Sequence, residues 1–238
     1  MSRVFLAAAA LAAVVTAAPA YAAETFAQVM QNDQTDTLFL TNNGDGTGSL
    51  QSYAGSIVAF GFPTSLNPFL QSQDAYFTLN ADITQPAMSM SGVFVQPVSS
   101  GDFSFIRTTP LGGLSNLLTV HFTNAVLTGL ANGTTPSFLG SQPGGSATVS
   151  FTSDFLDFSG SNDRGFSFSL SGVNPALTLG AGGVLNSFSG DTTATFSVDA
   201  ARQTGGIPEP SSWMLLIFGF GGAGALLRAR RRRGVAFA

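Results

Sequence analysis

The chain has 238 residues, of which 44% are hydrophobic and only 9% charged. It has no Cys, which excludes disulfides, thiolate chemistry and Cys-based zinc sites. Between Glu24 and Ile207 stand three basic residues, Arg107, Arg164 and Arg202, against twelve acidic ones, a net charge of −9 that repels the phosphates of nucleic acid.

At the N-terminus Arg3 precedes an unbroken apolar run from Val4 to Val15, followed by Ala20-Tyr21-Ala22. A positive start, an apolar run and a small-x-small site predict a signal peptide over residues 1–22, with Ala20 and Ala22 as the cleavage-site residues. Cleavage is expected after Ala22, with Ala23 as the near alternative. The run is too short and too rich in Ala for a membrane anchor.

Residues 23–203 form the predicted extracytoplasmic domain, long enough to bury a core of its own. Phe occurs 22 times in the chain, and Gly, Ser, Thr and Asn fill the spaces between apolar residues. Period-two alternation is its main signal, because it puts one face of a strand in the core and the other in water. Candidate strands are Thr37–Thr41, Ser49–Tyr53, Ser56–Phe60, Ala75–Leu79, Met88–Val95 and Leu117–Leu127. Alternating apolar residues mark four more, around Phe103 and Phe105, Ala147 to Phe151, Phe166 to Leu170, and Ala194 to Val198. Turn clusters are expected at Asn42–Gly46, Ser99–Asp102, Ser161–Asp163 and Ser189–Asp191, and a long loop over Gly129–Gly145. The pattern predicts an all-β domain, an antiparallel β-sandwich of jelly-roll type, flanked by a signal helix and a C-terminal transmembrane helix.

The composition then changes sharply. Residues 204–212 are a linker ending in Pro208-Glu209-Pro210, and residues 213–227 are an apolar run opened by Trp213. As a helix this run is about 22 Å long, a minimal membrane span. Residues 228–238 carry Arg228, Arg230, Arg231, Arg232 and Arg233, which hold that end on the cytoplasmic side and leave the β-domain outside. The two prolines remove backbone donors and keep Glu209 out of a helix, so the segment is predicted to be extended and exposed.

Pro208-Glu209-Pro210, Trp213, Gly219-Phe220-Gly221 and the terminal Arg run, in that order, closely resemble the PEP-CTERM sorting domain in its Pro-Glu-Pro-x-x-Trp variety. The resemblance covers about the last thirty residues. Two small departures are Met214, where that variety usually has Ala, and the extension Gly234–Ala238. The resemblance implies a bacterial exported protein recognised by an exosortase, a membrane transpeptidase with a Cys nucleophile, in bacteria that make extracellular polysaccharide. Pro208, Glu209, Pro210, Trp213, Gly219, Phe220 and Gly221 would then be the sorting motif, and the five Arg the membrane-retention signal. The expected partners are an exosortase, the membrane and exopolysaccharide.

Other motifs are weaker. Gly219 to Gly224 fits the dinucleotide pattern G-x-G-x-x-G, but no strand precedes it and no acidic strand follows. His121 is the only His and shares a strand face with Thr119 and Thr123, where an exposed or half-exposed strand residue is expected. Asn43-Gly44-Asp45-Gly46 resembles part of a calcium loop, yet Thr41 and Ser52 occupy the first and twelfth ligand positions, so a hairpin turn is expected. Asp154, Asp157 and Asp163 could be paired acids or calcium ligands, with solvated turn residues as the plainer reading. No catalytic residue, metal or cofactor is expected. The reading is a non-catalytic envelope or matrix protein associated with exopolysaccharide or biofilm. The alternatives are a carbohydrate-binding module and, behind it, a secreted hydrolase.

Overall fold

Alternation in the body becomes strand almost throughout. The computed structural model describes residues 23–199 apart from 33–34, 67–69 and 143–146. The predicted signal helix, the transmembrane helix and the Arg tail lie outside the described residues. The strands are β1 (Ala23–Gln31), β2 (Leu38–Asn42), β3 (Gly48–Ser52), β4 (Ile57–Gly61), β5 (Gln73–Ile83) and β6 (Met88–Met90). They continue with β7 (Val93–Leu111), β8 (Leu114–Leu130), β9 (Ser137–Ser141), β10 (Thr148–Thr152), β11 (Arg164–Asn174) and β12 (Phe188–Asp199). A 3-10 turn at Ala181–Gly183 is the only helical element among the described residues. The domain is all-β and every pairing is antiparallel, as the sequence predicts.

The ladder closes on itself. β12 pairs with β11, β11 with β9, β9 with β8, β8 with β7 and β7 with β5. From β5 the circuit runs through β4 and β1 back to β12. A second, parallel route from β12 to β5 passes through β2 and β3. β6 and β10 hang on this circuit by one partner each, β7 and β8 respectively.

Phenylalanine fills the interior. β5 shows the pattern best: Ala75, Phe77, Leu79, Ala81 and Ile83 are buried while Asp74, Tyr76, Thr78, Asn80 and Asp82 are exposed. Phe103 of β7 meets Phe166 and Phe168 of β11 edge-on, with centroids 5.1 and 5.0 Å apart. Phe105 lies 5.6 Å from Phe196 of β12 and stacks on Phe77 at 5.1 Å. Edge-to-face and offset pairs at these separations add attraction beyond the area they bury. Gln96 is fully buried but satisfied: its amide donates to the carbonyls of Gln85 and Pro97 and accepts from the Leu185 N–H. It thereby ties two connecting loops to β7.

Several elements differ from the sequence expectation, each for a local reason. The predicted strand Met88–Val95 is split by a turn at Ser91 and Gly92, with φ of 50° and 80°. The predicted turn Ser99–Asp102 is a stretch of β7 passing between Ala81 and Phe122. Gly101 permits this, since a Cβ there would stand 2.7 Å from the Ala81 Cβ and 2.6 Å from the Asn80 carbonyl oxygen. Ser189–Asp191 likewise runs inside β12. The predicted loop Gly129–Gly145 contains β9, whose Phe138 is fully buried and whose Gly140 makes room for the Phe166 ring. β1 escaped the alternation test because a register shift between Thr25 and Ala27 buries Phe26 and Ala27 in succession.

The chain enters and leaves this body at one place, since Ala23 and Asp199 are paired across β1 and β12. Two substitutions test the packing. Phe103→Ala removes a fully buried ring that touches both walls and is expected to cost about 3–5 kcal/mol in denaturant unfolding. Gly101→Ala forces β5 and β7 apart and is expected to cost about 1–3 kcal/mol, although the change adds only a methyl group. A loss below 0.5 kcal/mol for either variant would contradict this packing.

Candidate functional site

The predicted sorting residues Pro208, Glu209, Pro210, Trp213, Gly219, Phe220 and Gly221 lie outside the described residues, as do the five Arg and the cleavage residues Ala20 and Ala22.

His121 is exposed on the outer face of β8, opposite Asp102 of β7 and Ser150 of β10. The three acids that the sequence groups together do separate structural work. Asp154 accepts hydrogen bonds from the Ser115 and Asn116 N–H groups at 2.9 and 2.8 Å, tying the turn after β10 to the start of β8. Asp157 accepts from the Ser159 N–H and hydroxyl, and these bonds, the backbone one first, hold its carboxyl below the usual pKa. Asp163 enters through its backbone: its N–H donates at 3.2 Å to the carboxylate of Asp199, which closes the end of β12. Asp45 closes the β2–β3 turn. The Thr47 hydroxyl and N–H donate to it at 2.6 and 2.9 Å and lower its pKa, the hydroxyl contributing most. No group of three His, Asp or Glu side chains among the described residues is placed to hold a metal ion.

One hollow of the body lies where no sequence motif points. β12 and β5 are long strands, while the pairs between them are short. β1 covers β12 from Ala194 to Asp199, and β2 covers it from Phe188 to Gly190. On β5, β4 covers Gln73 to Tyr76 and β3 covers Gly48's partner Ile83 back to Asn80. A seam therefore crosses the wall between the two short pairs. Backbone groups exposed there must find other partners. The Phe77 N–H donates to the Ser56 carbonyl at 2.8 Å, and the Leu79 N–H to the Ser52 hydroxyl at 2.9 Å. The Thr37 N–H donates to the Gly190 carbonyl at 3.0 Å, and the Gln31 amide to the Asp191 carboxylate at 2.7 Å.

Over this seam lies an open cleft of about 500 Å³, lined by Thr35, Asp36, Tyr53, Ser56 and Ile57 among others. The Tyr53 backbone is fixed on both sides: its N–H donates to the Thr37 carbonyl and its carbonyl accepts from the Ser56 N–H. Its ring leans on Phe39 of β2, with centroids 4.8 Å apart and planes tilted by 47°. Gly55, at φ 79°, supplies the left-handed residue of the intervening turn. The Asp36 carboxylate is oriented by a hydrogen bond from the Ser189 hydroxyl. Ile57 pairs across the ladder with Tyr76, which stands on the same outer wall.

Comparison with known proteins bears on the tail alone. No curated protein and no solved structure matches the chain. Residues 206–233 match the family model described as the PEP-CTERM protein-sorting motif, a stretch that spans every residue from Pro208 to Arg233 named above. The tail therefore carries a PEP-CTERM protein-sorting motif, which indicates targeting to an exosortase.

Proposed function

We propose that this is a non-catalytic envelope or matrix protein, exported by its signal peptide, held briefly in the membrane by residues 213–227, and processed by an exosortase. Its final place is the cell surface or the medium, in association with exopolysaccharide or biofilm. The observation that carries the reading is the matched motif at residues 206–233. In this reading the exosortase supplies the nucleophile, and the chain supplies the peptide bond and the means of presenting it. Pro208, Glu209 and Pro210 offer an extended grip, and residues 228–233 fix the depth, because their charges are costly to draw through hydrocarbon. The pairing of Ala23 with Asp199 suits a body tethered first by one end and then by the other, since both connections leave from the same pole. We read the closed sheet as flattened into a sandwich of jelly-roll type. Direct Phe contacts between β7 and the β11–β12 wall support that shape.

Two measurements test the reading. N-terminal sequencing of exported protein is expected to begin at Ala23 or Glu24, and a retained Met1 would reject the signal peptide. Replacing Pro208, Glu209 and Pro210 by Ala is expected to leave export intact while full-length protein accumulates in the membrane. A host lacking its exosortase should give the same phenotype with the native sequence. The readout is the size and membrane partition of a tagged protein. Trimming and release of the Ala variant at the native rate would show the tail to be a plain anchor.

A further inference from the structure

Aromatic residues are divided by type in this body. Phe makes the core, whereas both described tyrosines are exposed, Tyr53 at 41% and Tyr76 at 46%. They lie on one stretch of outer wall, joined by Ile57, which lines the cleft beside Tyr53 and pairs with Tyr76. An exposed aromatic ring offers a flat apolar face and, in Tyr, a polar tip. Around it the cleft places an oriented carboxylate, Asp36, beside Thr35 and beside Ser56, whose hydroxyl donates to the Thr37 carbonyl at 3.3 Å. Binding sites of this volume are marked by a few convergent polar groups beside apolar surface.

We infer that this seam cleft binds a sugar unit of a neutral polysaccharide, with Tyr53 as the platform under the ring and Asp36 as the acceptor for its hydroxyls. The chain would continue over Ile57 towards Tyr76. A pyranose ring has an apolar C–H face and a rim of hydroxyls, which matches an aromatic plane edged by acceptors and donors. The cleft is open, as a long polymer requires, since a chain must enter and leave on both sides. Charge selects among polymers. With three basic residues against twelve acidic ones in the body, a polyanionic glycan meets like charge at Asp36 and around it. An uncharged glycan meets none. Pre-orientation strengthens the site: Phe39 holds the Tyr53 ring and Ser189 holds the Asp36 carboxylate, so little side-chain freedom is lost on binding.

The inference deepens the exopolysaccharide association proposed above and rests on it, but not on the processing of the tail. The test uses the full-length chain in detergent, titrated by calorimetry with cellohexaose, dextran, alginate and the neutral exopolysaccharide fraction of the producing cells. At least one neutral glycan is expected to bind, and alginate to bind less well than it does. Tyr53→Ala is expected to weaken binding by about tenfold, and Asp36→Asn by a smaller factor, while Tyr53→Phe keeps most of it. Met90→Ala, an exposed apolar residue on β6 away from the seam, should change nothing. Thermal melts within a few degrees of the native protein show that each variant is folded. Equal binding by Tyr53→Ala and the native chain would place the glycan elsewhere, overturning the cleft and sparing the association. Binding of no glycan at all would overturn the cleft and the association together, preference for alginate would overturn the neutral-glycan cleft and spare the association, and tail trimming remains a separate result.

Discussion

Closure of the sheet around a phenylalanine core is the constraint from which the rest of the body follows. The chain has no disulfide to draw on and no long helix among its described residues to cover an open sheet edge. An open edge leaves backbone donors and acceptors unpaired and invites other chains to pair with them. Returning the ladder from β5 through β4 and β1 to β12 removes those edges from the main circuit. The aromatic rings then hold the walls at a fixed spacing. Phe103, fully buried, packs against β11 and β12 at once, so β7 cannot shift its register without breaking contacts on the opposite wall.

Closing the ladder with short strands has a structural consequence. β12 and β5 are longer than any single strand between them, so two pairs share the gap. Where one pair gives way to the other, the loop residues Thr37 and Ser56, with Ser52 at the end of β3, supply the missing hydrogen bonds. Those loops rise above the wall and shape the cleft under Tyr53 and Asp36. This concave feature of the body is thus a product of how the sheet closes. It brings together residues from the β1–β2 and β3–β4 connections that no sequence motif links.

Body and tail divide the work. The tail carries the matched motif, and the chemistry performed on it belongs to another protein. The body carries a net negative charge, and four of its carboxylates serve backbone geometry. Asp45 secures the β2–β3 hairpin, Asp154 ties the turn after β10 to β8, Asp157 holds a turn, and Asp199 the end of β12. Acids spent in this way are poorly placed for paired acid–base work, which needs two carboxyl groups facing one substrate bond.

Much was legible in the sequence because its signals are local. Strand class follows from alternation, as in Ala75 to Ile83, and the sorting motif follows from Pro208-Glu209-Pro210, Trp213 and the Arg run, which need no fold to be recognised. The turn at Asn42–Gly46 also follows from its own residues. What only the tertiary structure decided depends on partners distant in the chain. Gly101 reads as a turn residue, yet it lies mid-strand because Ala81 approaches too closely for any Cβ. Phe138 sits in a stretch rich in Gly and Pro, but Phe122, Phe166 and Phe168 around it make that stretch a strand. The seam cleft was invisible for the same reason: Asp36, Tyr53 and Ser189 meet only after β12 and β2 have paired. Local propensity sets what a segment prefers, and burial against remote segments decides which preference prevails.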